Sequence, residues 1–323
     1  MGTTNLDWLE VSGVPTIGVG GMLPFTGNYF FIDAANGSDG NTGQADDPLA
    51  SLDAAYDRCV DGHNDVIFIV GDGSTAATQR LSSQFVFSKD AVHLIGLTAP
   101  TMIAQRARIS TATGATANIN PLVQVTAQGC IFANFSLFQG VGEAATAEKL
   151  WQEQGQRNFY GNVDFGGMGG VAGAAHADSY SLNLNGGSEN TFKGCHFGTD
   201  TRDRDAANCN ILFDKNGSQA ATRNMFIDCI TSMRATDTDP LFINAGGVNC
   251  IDRFALFKNC SFINVGTGTL AKAILGNATN GHIVLDNCVL TGATNWAATM
   301  ATVRVTGAVP NGLTSGVAVS ASD

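Results

Sequence analysis

The sequence predicts an all-β solenoid, a coil of parallel strands wound as a single long unit. Three observations carry this. First, six segments share one short pattern: a large apolar residue, any residue, Asn/Gly/Asp, a small or apolar residue that is usually Cys, any residue, then usually another apolar residue. They begin at Phe132, Tyr160, Phe192, Phe226, Phe257 and Leu285, and their fourth positions are Phe135, Val163, Cys195, Cys229, Cys260 and Cys288. Second, those positions recur at an irregular interval of about thirty residues, as in coils that bury their apolar faces only against neighbouring coils. Third, the chain has 39 glycines, only 14% charged residues and 44% hydrophobic ones. That balance suits short strands and many turns around one continuous core.

Within a unit the fourth and sixth positions share parity and face one side of a strand. The first position has the wrong parity to join them on a straight strand. A bend restores it, and the third position is always Asn134, Asn162, Gly194, Asp228, Asn259 or Asn287. These residue types enter the left-handed region at least cost. Each unit therefore reads as strand, one-residue left-handed corner, strand. Coils stack at the spacing of paired strands, about 4.8 Å. Phe192, Phe226 and Phe257 then form one column, and Cys195, Cys229, Cys260 and Cys288 another.

This pattern resembles the right-handed parallel β-helix of the pectate-lyase-like superfamily, whose coils carry such Asn corners and Cys/Phe stacks. A second stretch adds to the resemblance. Phe30–Asp33 leads into a turn-rich run from Asn36 to Gly43, then Asp47-Pro48, then Ser51 to Cys59. This looks like the N-terminal entry of many secreted and phage-borne β-helices, where a short helix plugs the open end of the coil. Ser51 suits its N-cap and Asp53 its first turn. The resemblance spans about residues 30–290 and implies a fold, not an activity.

The expected organisation is an N-terminal arm over residues 1–28, a parallel β-helix over 29–305 and a C-terminal tail over 306–323. The capping helix is expected at about 50–60. Strong helix formers from Glu143 to Trp151 predict a helical insertion at about 143–155, with Trp151 packing it on the coil. The glycine-rich run Gly166–Gly173 reads as a flexible excursion. The arm is rich in apolar residues, among them Trp8, Leu9, Val11 and Ile17, and is expected to dock on a partner.

Charge and cysteine usage exclude several classes. The formal net charge is −11, which opposes binding to nucleic acid or to an anionic membrane surface. No apolar run nears the ~20 residues of a membrane helix. Met1–Asp7 shows no basic region leading into an apolar stretch. The eight cysteines contain no Cys-x-x-Cys pair. Four occupy inward positions, where Cys acts as a small hydrophobe, so reduced thiols are expected. Stacked neighbours point in parallel, which is poor disulfide geometry. Folding in a reducing cytoplasm follows.

Chemistry is harder to read. His63, His93, His176, His196 and His282 are scattered, without metal-ligand spacing. His196 sits at an outward position beside inward Cys195, which argues against a reactive pair. Thr201–Asp205 is the densest charge cluster, and Arg202, Asp203 and Arg204 could imitate the basic residues and carboxylates of β-helix lyases. They are adjacent in one expected loop, however, and the outward positions Ser136, Asp164, His196, Ile230, Ser261 and Val289 show no Asp–Arg ladder. No cofactor is expected. The expected function is that of a bacteriophage virion protein, a capsid decoration or head-surface component. It would be a homotrimer that meets the major capsid protein or another virion protein through its arms. Contact with carbohydrate at the host surface is a further expectation. A polysaccharide-degrading enzyme or tailspike-like depolymerase, and a surface adhesin, are the alternatives.

Overall fold

Each coil follows one path: a strand, a left-handed corner, a second strand, a third strand, and a return. The computed structural model describes residues 27–112, 119–140, 146–276, 280–298 and 302–306, together with a small antiparallel pair, Glu10–Val11 with Val14–Pro15. The coils stack their strands in three parallel sheets. Sheet I begins at Tyr29–Ile32 and ends at Val303–Val305. Sheet II has eight strands, from Gln79–Leu81 to Val289–Thr291. Sheet III runs from Phe85–Phe87 to Ile274–Gly276. A hairpin between Cys209–Asn216 and Gln219–Ile227 joins sheet III to sheet I through an antiparallel pairing.

The corner between sheets I and II is where the sequence placed it. Asn134, Asn162, Asp228, Asn259 and Asn287 have φ of 60°, 51°, 55°, 53° and 51°, and Gly194 has 61°. Their side chains bond from coil to coil: Asn162 Nδ2 donates to Asn134 Oδ1 at 2.9 Å, Asn259 Nδ2 to Asp228 Oδ1 at 3.0 Å, and Asn287 Nδ2 to Asn259 Oδ1 at 2.9 Å. Gly194 has no side chain and interrupts the ladder.

The corner turns three columns inward. Rings of Phe132, Tyr160, Phe192, Phe226 and Phe257 stack with successive centroids 4.9, 4.5, 4.7 and 4.3 Å apart and planes within 12° of parallel. Phe165 and Phe197 stack beside them at 5.1 Å. Cys195, Cys229 and Cys260 are buried free thiols, and Cys288, near the end of the coil, is partly buried. Burial pushes the Cys229 thiol well up, and its bond with Cys229 together with burial pushes Cys260 up to about 12. They remain neutral thiols that pack as small hydrophobes.

The entry cap also forms. Helix α1, Leu52–Arg58, is N-capped by Ser51, whose Oγ accepts from Ala54 N at 3.2 Å. It buries Leu52, Ala55 and Tyr56 across the first coils. Asn28 belongs to this end of the solenoid: its N–H donates to Asp65 Oδ1, and its carbonyl accepts from Val66 N.

Two expectations fail here. Lys149–Glu153 is a strand of sheet III, not part of a helix. It pairs with Val123–Val125 and with Tyr180–Asn185, and Leu150 and Trp151 are buried. Local helix propensity lost to burial of an indole in the coil interior, since packing outweighs propensity. Residues 143–145 lie outside the described residues. The glycine-rich run is no excursion either: Asp164–Met168 is a strand of sheet II, and α2, Val171–Ala174, follows it.

The interior also holds carboxyls. Glu153 is fully buried. Its Oε1 accepts from Gly155 N at 2.7 Å, and Tyr160 Oη donates to its Oε2. Burial pushes its pKa up to about 7, and likewise that of Glu148, which accepts from Gly170 N.

Replacing Phe226 with Ala should cost roughly 3–5 kcal/mol, as for other fully buried aromatics. Denaturant unfolding reads this directly, and a loss below about 1 kcal/mol would contradict the stacked register. The buried carboxyls set a pH dependence. Each has a folded pKa above its ordinary 4.5. The stability tied to the neutral form is complete below about 4.5 and lost as pH rises through about 7, on the order of 3 kcal/mol per group. The melting temperature should therefore fall from pH 5 to pH 8, and fall less in Glu153→Gln. An equal fall in both proteins would acquit Glu153.

Candidate functional site

The outer face of sheet II gathers the polar residues that the sequence places outward. Ser136, Asp164, His196, Ile230, Ser261 and Val289 lie in one column, in register across six strands. Outward is not exposed, however. Ser136, Asp164 and His196 are 4%, 4% and 2% accessible. The segment 102–105 crosses over them. Ala104 N donates to Asp164 Oδ2 at 2.8 Å, and Gln105 Nε2 donates to Asn162 O at 2.8 Å.

Under that strap lies a hydrogen-bonded chain. Ser136 Oγ meets Asp164 Oδ2 at 2.8 Å, His196 Nδ1 meets Asp164 Oδ1 at 2.7 Å, and His196 Nε2 meets Ser232 Oγ at 2.8 Å. The carboxylate can only accept, so one proton arrangement satisfies every member: Ser136 O–H, Ala104 N–H and His196 Nδ1–H donate to Asp164, and Ser232 O–H donates to Nε2. Ser232 lies in the next outward column, opposite Gly198, and is 7% accessible. Asp, His and Ser in this order have the connectivity of a hydrolytic triad. Sequence spacing hides it, because its members come from three successive coils. The parity of Asp164, His196 and Ile230 was legible, and stepping two residues on from Ile230 would have reached Ser232.

Cys195 takes no part. Its thiol points inward, with Sγ 3.5 Å from Tyr160 O. The charge cluster does not converge either. His196–Arg204 is one long strand, so the expected loop is absent. Arg202 Nε donates outward to Gly169 O at 2.5 Å, and Asp203 Oδ1 pairs with Arg234 at 2.8 Å. Arg204 turns the other way and is fully buried, donating to the amide oxygens of Asn208 and Asn210. Burial lowers its pKa to about 10, so it stays charged at neutral pH. A solvated loop was expected for all three; the alternation of the strand buries the last. Trp8, Leu9 and Ile17 lie outside the described residues. Val11 falls in the short Glu10–Val11 strand, whose side chains are likewise outside them.

No protein-family model matches the chain, and no curated protein matches it. Among solved structures it is similar to pectate lyase Pel9A, with a TM-score of 0.56 at 15% identity over 91% of this chain and 73% of that one. It is similar to the pectin methylesterase of Aspergillus niger, with a TM-score of 0.51 at 15% identity over 88% and 84%. A looser likeness, at a TM-score of 0.38 and 9% identity over 86% and 61%, is to the ORF18 protein of Geobacillus virus E2. At these identities the likeness is one of architecture, and the chain has the right-handed parallel β-helix fold of the pectate-lyase-like superfamily.

Proposed function

We propose that this chain is a structural virion protein, a bacteriophage capsid decoration or head-surface component that attaches through its terminal segments. One observation carries the reading. The N-terminal end of the solenoid is already closed by α1, with Leu49, Leu52 and Ala55 buried beneath it. The sequence before Gly27 nevertheless supplies Trp8, Leu9, Val11, Ile17 and Phe25. A neighbouring subunit or the capsid surface would bury them. Extended segments cover wide surfaces at modest affinity each, and a particle compensates with many copies. Two features support it. The cysteines are free and seven of them are buried, which suits assembly in a reducing cytoplasm. The charge cluster at 202–204 forms no lyase-like set. The partner would be the major capsid protein or another virion protein, the assembly a homotrimer, and the location the virion surface.

The Asp164–His196–Ser232 geometry favours a second reading, a serine hydrolase. Ser232 Oγ would attack an ester carbonyl and pass its proton to His196 Nε2. The proton would then leave with the alcohol, and water would release the acyl group in the same way. It ranks second because all three side chains lie under cover. A network so enclosed also serves to pin the strap to the sheet.

Deleting residues 1–26, and sparing Asn28, should leave a folded solenoid with near-native melting but abolish co-sedimentation with particles. Full occupancy of the truncated protein would shift attachment to the tail after Val305. The second reading has its own readout. A fluorophosphonate probe followed by peptide mass spectrometry should leave Ser232 unmodified. Labelling that disappears in His196→Ala would raise the hydrolase to first place.

A further inference from the structure

The outer face of sheet III carries a groove that neither the virion reading nor the buried network uses. Its cavity of about 440 Å³ is lined by Gln152, Asn183, Asn185 and Asn244 along its floor, with Lys149, Asp178, Tyr180 and Asp214 among its walls. The floor is a product of register. Gln152 pairs with Asn183, Asn183 with Leu212, and Leu212 with Asn244, so outward side chains of four successive coils form one row, three of them amides. Asn185 stands beside Asp214 in the same way.

Two atoms in this row are out of balance. Asn183 is 5% accessible, yet its Oδ1 has no hydrogen-bond partner, and neither has the buried Oδ1 of Asn185. An unpaired buried amide oxygen costs about 1–3 kcal/mol. Both oxygens belong to residues that line the groove, and both are acceptors. Asp178 and Asp214 add carboxylate acceptors. Lys149 is the one cation among the lining residues, and its ammonium lies 5.9 Å over the Tyr180 ring. The groove is therefore rich in acceptors and carries more negative than positive charge. A ligand that completes it must bring several O–H or N–H donors and no anionic group.

We propose that this groove binds a neutral, hydroxyl-rich glycan, laid across the coils with its hydroxyls on the amide row. Hydroxyls donate to Asn183 Oδ1 and Asn185 Oδ1, while Lys149 donates to a ring or hydroxyl oxygen. Uronate polymers are rejected, because each carboxylate would face Asp178 and Asp214 across a low-dielectric groove. This charge preference runs against that of a site built for pectate. It is read on the isolated protein and stands whether or not the chain belongs to a particle.

The test is binding by the full chain. The protein is applied to an array of neutral, sialylated and uronate glycans, followed by calorimetry with a neutral hexasaccharide from the array and with hexagalacturonate. Binding confined to neutral glycans is expected, and Asn183→Ala should weaken it about tenfold or more, the scale of one or two hydrogen bonds lost. Asp214→Asn should leave neutral binding near its original strength and relax the exclusion of hexagalacturonate. Unchanged melting of both variants separates binding from folding. Failure to bind any neutral glycan, preference for the uronate, or neutral binding unaltered by Asn183→Ala would each overturn the proposal.

Discussion

The fold depends on one backbone conformation repeated at a fixed place. A single residue in the left-handed region turns the chain from sheet I to sheet II, and that turn decides which side chains face inward on both sides of it. A non-glycine residue there carries a strain of order 1–3 kcal/mol. Asn lowers that cost by bonding locally, and it adds an amide that reaches its counterpart one coil away. The strained position thereby becomes a coil-to-coil clamp. Once the corner is fixed, a one-residue slip would turn the whole Phe column towards solvent, so register is specified from one end of the stack to the other. The near-parallel rings follow from this alignment; their stacking adds to it but did not create it.

A second corner shows why only half of this was visible in the sequence. Arg157, Glu189, Arg223 and Arg253 also have positive φ, at 56°, 60°, 52° and 66°. Arg and Glu do not advertise a left-handed turn. The residue after three of them does more work. Asn158 N donates to Asn190 Oδ1 at 2.9 Å and Asn190 N to Asn224 Oδ1 at 3.1 Å, while their amide groups donate to carbonyls of the preceding coil. This ladder is fully buried and satisfies backbone groups that the turn would otherwise orphan. A signal for it exists: each of these Asn residues stands two positions before the Phe or Tyr of its repeat. Outside it, Glu189 meets Arg157 and Arg223 at the surface, where ion pairs contribute little.

What the sequence conveyed about sites was direction, not depth. Parity along the strand placed Asp164 and His196 correctly on the outside of the coil. It could not show that residues 102–105, about sixty positions earlier than Asp164, return to cover them. Arg204 fails in the opposite sense: a charge run suggests solvent, yet strand alternation carries one of its guanidinium groups inside to a pair of asparagines. The strand at Lys149–Glu153 is a third case, since only the demand for a bulky ring beside Tyr160 and Phe165 explains why that segment is not helical. Each miss involves a partner distant in sequence. Each success, at the corner, the Phe column and the Ser51 cap, involves residues within a few positions of one another.

The polar groups of the solenoid then fall into two kinds, and the difference bears on function. The Asn ladders and the Asp164–His196–Ser232 chain are closed: each donor has an acceptor inside the protein, and nothing is left to offer a ligand. The amide row of sheet III is open, because Asn183 and Asn185 hold buried acceptors with no donor facing them. A folded chain meets a closed network once, during folding, and keeps it. An open one carries a standing cost that a ligand relieves, so it is sensitive to what arrives from solution. On a solenoid, the same stacking that aligns rings and thiols inside also aligns open groups outside, at the spacing of one coil. Such a row suits an extended ligand with recurring polar groups far better than a compact one, and it needs no moving part to receive it.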